Sequence, residues 1–230
     1  IPFAYGIQSI QFDEIQLNNH VLALEHVEML WQDGDIYQAP ARDLLPQPIQ
    51  LDDLNLRGEI TVYLALPIIQ ANKKNVSFEQ SSQPSRYHSH LVETHDLFTD
   101  ATAADITLLR RRAEFKLFES HQEPDHQLDG FLYLPVAKVK RQSSGNFELD
   151  RKFIPPILHI EACDTLVSSL KRTLNIIKAK IKAIQSNSRE NEQKLIEFRS
   201  GDIVSFWLVN ALNTAYTSLN HLLQYPQIHP

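Results

Sequence analysis

The residues best suited to chemistry in this 230-residue chain are its ten histidines. His88-Ser89-His90 leads, because residues two apart on a strand face the same side and two imidazoles so placed could start a zinc site. His95-Asp96 follows nearby, and His121 and His126 are further candidates. No cysteine stands near enough to complete a familiar ligand spacing, so the pattern favours ordinary strand-edge and loop histidines over a metal centre. The single cysteine, Cys163, falls on the apolar side of a helical pattern. It reads as a small core residue, because a nucleophile needs an accessible, electropositive setting. There is no Gly-x-Ser-x-Gly elbow, and six scattered glycines offer no phosphate cradle. Arg110-Arg111-Arg112 could bind an anion, yet Glu114 and Glu119 lie close and favour a solvated edge. Asp52-Asp53 reads as a turn. No catalytic residue, cofactor-binding residue or metal ligand is assigned, and no cofactor is expected.

The elements that would carry these residues fall into two blocks. From residue 1 to about 157, short apolar and β-branched runs alternate with Pro, Gly, Asn and Asp, which is strand-and-turn grammar. The clearest strands are Glu59 to Leu66, Arg86 to Thr94, Ala113 to Phe118 and Phe131 to Lys140. In the first, Ile60, Val62, Leu64 and Leu66 point one way and Thr61, Tyr63 and Ala65 the other, so both faces could be covered, as inside a sandwich. Val21 to Trp31 has helix-compatible content, but Asp33-Gly34 followed by Ile36 and Tyr37 predicts a hairpin. Ser143-Ser144-Gly145-Asn146 is a second hairpin turn.

After Ile154-Pro155-Pro156 the pattern turns helical, because proline cannot continue a strand ladder. Cys163, Leu166, Leu170, Leu174, Ile177, Ile181 and Ile184 recur every three or four residues and form a seam suited to a bundle or coiled coil. This helix is expected from about Glu161 to Gln185. Ser186 to Arg199 is polar, with a short helix possible around Leu195, Ile196 and Phe198. A second long helix is expected from a capping Asp202 to Gln224, stopped by Pro226. It bears two apolar stripes, one with Val204, Leu208, Ala211, Ala215, Leu219 and Leu222, the other with Ile203, Phe206, Leu212, Tyr216 and Leu223. Two apolar stripes need two partners, and a second copy of the chain could be one of them. Leu166, Leu170, Leu174, Ile177, Ile181, Ile184, Val204, Leu208 and Leu219 are therefore the candidate oligomerisation residues.

The expected architecture is α+β, an antiparallel β-sandwich over 1–157 followed by a helical domain over 158–230. A hydrophobic content of 43% and a charged content of 22% fit a globular fold. Twenty-eight acidic against 22 basic residues leave a net charge of −6, which argues against nucleic acid or an anionic membrane as default partners. No run approaches the roughly 20 apolar residues of a membrane-spanning helix, so an integral membrane protein is not expected. One unpaired cysteine fits a reducing compartment. The chain opens on Ile1 rather than Met, so it reads as a fragment.

Several segments together resemble the TssK family of type VI secretion baseplate proteins, also described as VasE or ImpJ. They are Pro2-Phe3-Ala4-Tyr5-Gly6-Ile7, Asp33-Gly34 before Ala39-Pro40, Val62-Tyr63-Leu64-Ala65-Leu66-Pro67, Arg86-Tyr87, Leu134-Pro135-Val136-Ala137-Lys138-Val139, and Leu149-Asp150-Arg151-Lys152-Phe153-Ile154-Pro155-Pro156. Their order and spacing over residues 1 to about 160 carry the resemblance, while the helical region agrees in pattern. The resemblance implies a shoulder like that of phage receptor-binding proteins, a helical neck and a homotrimer. It implies a structural, non-catalytic role, with the shoulder on the wedge proteins TssF and TssG. A C-terminal head would reach the membrane-complex proteins TssL and TssM, and the expected location is cytoplasmic, at the inner-membrane-associated baseplate. The segment before Pro2 and the head after Pro230 are missing from this sequence, so membrane-complex contact is not expected of it. Two other readings are a His88/His90 metal enzyme and a carbohydrate- or receptor-binding sandwich displaying Tyr37, Tyr63 and Tyr87.

Overall fold

The computed structural model describes residues 4–52, 58–72, 74–78, 84–96, 98, 102–119, 124, 128–143, 145–192 and 200–230. The chain divides into two compact units, Ile1–Leu158 and His159–Pro230. The first is β-rich and the second helical.

Unit one opens with β1 (Gly6–Phe12), a short helix α1 (Glu14–Asn18), β2 (Val21–Leu22), β3 (Leu24–Leu30), β4 (Ile36–Ala39) and β5 (Ile49–Gln50). The helix was not legible from periodicity, being five residues long, but Asp13 caps it by accepting from the Gln16 amide at 2.8 Å. The Val21 to Trp31 region is extended, and β3 and β4 form the expected hairpin through Asp33-Gly34, where Gly34 has φ +88°. β1 completes an antiparallel sheet in the order β1-β3-β4, while β2 pairs with β5.

The second half of unit one contains β6 (Glu59–Pro67), β7 (Val76–Ser77), β8 (Tyr87–Thr94), β9 (Ala104–Arg111), β10 (Glu114–Glu119), β11 (Phe131–Arg141) and β12 (Phe147–Leu149). β6 lies inside a four-stranded antiparallel sheet ordered β10-β6-β11-β12. Ile60, Val62, Leu64, Ala65 and Leu66 are at most 2% exposed, so both faces of β6 are covered. Proline cannot donate to a ladder, and Pro135 stands where the β11 register against β6 shifts. β7, β8 and β9 form a separate three-stranded sheet. Its β7–β8 pair is parallel, which corrects the expectation of a wholly antiparallel unit. Two residues at β7 are enough to pair with the start of β8 in that sense.

Gly6 ties the ends of unit one together. Its φ is +145°, and a Cβ there would lie 2.9 Å from the backbone of Pro156 and Ile157. The closeness serves two hydrogen bonds, from Ile7 N to Pro156 O and from Leu158 N to Ile7 O, both 2.9 Å.

Unit two begins with a 3-10 turn at Ile160–Ala162, followed by α2 (Asp164–Glu192) and α3 (Ser200–Gln224). α2 runs past the expected end at Gln185 to Glu192, since a helix already nucleated gains a hydrogen bond for each residue it adds. α3 starts at Ser200, so Asp202 lies in its first turn rather than at the cap. The short helix expected around Leu195, Ile196 and Phe198 lies outside the described residues. α2 and α3 pack on each other. The chain past α3 returns to the start of the unit, where Glu161 N donates to Pro226 O at 3.0 Å and Ile160 N to Ile228 O at 3.2 Å.

Candidate assembly surfaces

His88 and His90 sit on β8, which alternates sides, so both rings leave the same face opposite Arg110 and Leu108 of β9. Burial, and the charge of nearby Arg112, hold the His88 imidazolium below its usual pKa. A third ligand is not at hand: among the described residues no three of His, Cys, Asp and Glu converge as a metal cage. His121 and His126 lie outside the described residues. Cys163 is buried at the entrance to α2. Asp52 accepts a 2.7 Å hydrogen bond from the His20 ring, and Asp53 lies outside the described residues.

The strongest polar constellation in unit one joins the β3–β4 hairpin to the β8–β9 sheet. Arg86, 1% exposed, donates from Nη2 to Asp33 at 2.5 Å and Asp35 at 2.6 Å, and from Nη1 to the Pro67 carbonyl at 3.0 Å. Arg111 continues the network to Asp35 and Asp43, each at 3.1 Å. Asp43 also accepts from the Arg111 and Gln38 amides. The Arg86 hydrogen bond is the leading cause that keeps the Asp35 carboxyl below its normal pKa, against some opposing desolvation. Arg111 is thus a structural partner of two carboxylates, not a member of a free anion patch.

Tyr37 corrects another expectation. It is fully buried, stacks edge-on against Trp31 at 6.2 Å, donates to the Leu44 carbonyl and accepts from the Ala113 amide at 3.2 Å. Burial raises its phenol pKa well above the ordinary value. Tyr63 is half-buried between Phe118 and Tyr133, and Tyr87 is half-buried on β8. These rings do not form the exposed aromatic platform that a sugar-binding face requires.

What unit one exposes instead is the β8–β9 sheet. Leu91, Ile106, Leu108 and Leu109 are 41% to 62% exposed. The pairing sets Leu91 and Leu109 on one face and Leu108 and Ile106 on the other, so neither side is packed over these residues. The near-continuous apolar run on β9 was a signal for this that sequence reasoning passed over.

In unit two, Leu174 is the one seam residue of α2 that the pair buries, at 5% exposure. Leu166, Leu170, Ile177, Ile181 and Ile184 are half-buried. On α3 Leu219 is half-buried, whereas Val204 and Leu208 are 66% and 42% exposed. Ile203, Phe206 and Trp207 join them at more than half exposure, and Phe206 stacks edge-on against Trp207. Trp207 belonged to neither stripe read from the sequence. Two helices alone do not close this apolar surface.

Among the described residues no helix is long and apolar enough to cross a membrane. The family described as bacterial type VI secretion, VC_A0110, EvfL, ImpJ, VasE matches residues 1–230. The type VI secretion system baseplate component TssK1 of Pseudomonas aeruginosa is 24% identical over 98% of this chain and 49% of its own length. The chain therefore spans about half of that curated relative. A chain of the TssK-TssF-TssG baseplate subcomplex, solved by cryo-electron microscopy, matches at 27% identity and a TM-score of 0.79, over 100% of this chain and 71% of that one. TssK from EAEC, solved with nanobody nb18, matches at 26% identity and a TM-score of 0.76, over 100% and 72%. With a family match that runs the length of the sequence and a shared fold in both units, the chain belongs to the VasE family of bacterial type VI secretion proteins.

Proposed function

We propose that this chain is a non-catalytic structural subunit of the type VI secretion baseplate. Unit one acts as a shoulder, a β-sandwich that docks on the wedge proteins TssF and TssG. Unit two acts as a neck, a helical bundle completed by two further copies in a homotrimer. In the whole protein this trimer links the baseplate to the membrane complex through TssL and TssM, on the cytoplasmic side of the inner membrane. The observation that carries the reading is the likeness along the full chain to a chain of a TssK-TssF-TssG subcomplex. The half-open apolar surface of α2 and α3 supports the trimer, with Leu166, Leu170, Leu174, Ile177, Ile181, Ile184, Val204, Leu208 and Leu219 at or beside the contacts.

Co-purification with TssF and TssG, and separately with the cytoplasmic domains of TssL and TssM, tests the docking. Retention by the wedge proteins supports the reading. Binding to the membrane-complex domains alone would reassign the shoulder, and binding to neither would reduce the reading to one of fold. Light scattering over a concentration series tests the trimer, whose mass should be three times that of one chain.

A further inference from the structure

The free edge of β9 has a backbone polarity that its hydrogen bonds define. At the base of the β8–β9 arm, Arg111 N donates to Asp43 Oδ1 at 3.1 Å and Arg111 O accepts from Leu44 N at 2.9 Å, so both groups point away from β8. Tyr87, directly across from Arg111, donates its N–H to the Asn75 carbonyl at 3.0 Å, away from β9. Tyr87 and Arg111 are therefore a pair without mutual hydrogen bonds, and in an antiparallel ladder such pairs alternate with bonded ones. The register continues without a shift to Thr94 and Ala104, so every residue of the arm is assigned. Arg110, Leu108 and Ile106 bond to β8, while Leu109, Thr107 and Asp105 turn their N–H and C=O outward. β9 is the last strand of its sheet, and beyond Leu44 no backbone group pairs with this outward row among the described residues.

Natural sheets blunt a long edge with lysine, proline or a bulge, because the unpaired row is a template for another strand. Residues 104–110 contain no lysine and no proline, and their pairing with β8 has no bulge. Both faces of the arm are bare as well, and a two-stranded ribbon in water is marginal until a further strand joins it. The side chains define what that strand must bring. Ile106, Leu108 and Arg110 share one face, and Arg110 is half-buried with no ion pair among the described residues. On the other face Asp105 stands directly across from Glu93, and like charges so placed repel until a cation joins them. A second copy of β9 fits poorly. Outward residues must meet outward residues, so a two-fold pairing centred on Thr107 sets Asp105 against Leu109 and Arg110 against Ala104, and no charge is matched.

We propose that β9 receives an extended segment of a wedge subunit as its next strand. That segment carries a cation opposite Asp105, apolar residues opposite Ile106 and Leu108, and a carboxylate opposite Arg110. Main-chain hydrogen bonds to Asp105, Thr107 and Leu109 give the affinity, and the alternating side chains give the selectivity. The inference rests on the wedge-docking reading and specifies how that docking is made.

The test compares the wild-type chain, Thr107→Pro and Arg110→Glu for retention by purified TssF and TssG, with amide hydrogen exchange read residue by residue. Proline at 107 removes an outward N–H and no bond to β8, the one setting in which a strand accepts it. Each variant should lower retention several-fold while exchange elsewhere in unit one stays unchanged. In the wild type, TssF and TssG should slow exchange at Asp105, Thr107 and Leu109 by at least about ten-fold, and change the already bonded Ile106, Leu108 and Arg110 far less. This alternation needs no variant, so it decides the matter even if Thr107→Pro disturbs the arm. Failure of the wild type to be retained would sink the wedge reading and the inference with it. Retention with unchanged exchange at the three outward amides would overturn the strand addition alone. So would a Thr107→Pro chain that loses mass in light scattering yet keeps its wedge retention, since the edge would then belong to a second copy.

Discussion

At Gly6 a single missing Cβ decides whether two distant segments can touch. Gly6→Ala would place a methyl 2.9 Å from the Pro156 and Ile157 backbone at φ +145°, so the neighbouring strand must shift. A loss of about 2 kcal/mol is expected, within the usual range for backbone strain, and urea unfolding would measure it. Arg86→Ala should cost about 1.5 to 3 kcal/mol, because it removes the charged hydrogen bonds to Asp33 and Asp35, while both carboxylates stay partly hydrated and Asp35 keeps Arg111. The same titration reads it as a lower midpoint with an unchanged slope. Asp35 adds a pH dependence of definite sign. Its folded pKa is depressed, so its stabilising contribution is present above the unfolded value, near 3.8, and is lost as pH falls through the folded one. The stability gap between wild type and Asp35→Asn should therefore be open at neutral pH and close in acid. Of these residues the sequence signalled Gly6 only through resemblance, Asp33 as part of a hairpin turn and Arg86 as the start of a strand, and it joined none of them in an ion pair. A positive φ and a buried ion pair between residues about fifty positions apart leave no periodic trace.

Among the elements, the long strands and both long helices were legible because their apolar periods are sustained over many residues. β6 shows this best, with alternate residues apolar and both faces buried. α1, β2, β5 and β7 are too short to show a period, and their pairing depends on partners far along the chain. The parallel join of β7 to β8 is a tertiary outcome of that kind. Periodicity marked the helix seam but could not say how much of it one chain would cover. α2 and α3 leave Phe206 and Trp207 about two-thirds exposed, so their burial in an assembly is the testable consequence. Ile177→Asp should lower either the trimer fraction or the helix content, since an unpaired charge on the seam costs several kcal/mol to bury, by the usual range of about 3 to 5. Trp207→Ser is the sharper probe, because its side chain lies outside the helix pair. It should weaken association in analytical ultracentrifugation and leave the monomer's helical signal intact.

Across the whole molecule, the bond pair between Ile7 and the Pro156 to Leu158 segment sets a schedule. Strand β1 is joined to nearly the last residues of its own unit, about 150 positions later in synthesis, and β6 gains both of its neighbours only after residues 114–141 exist. Contacts so distant along the chain are slow to form, and until they do the β6 edges stay open to the wrong partner. A nascent chain arrested before Pro156 has cleared the exit tunnel should thus be protease-sensitive, while one arrested well beyond Leu158 should be resistant over unit one. Synthesis then delivers α2 and α3 after the β-rich unit has had its chance to close. The exposed apolar surface of α2 and α3 is thus made only after the β-rich unit, an ordering in time that keeps it from the β6 edges while they are still open.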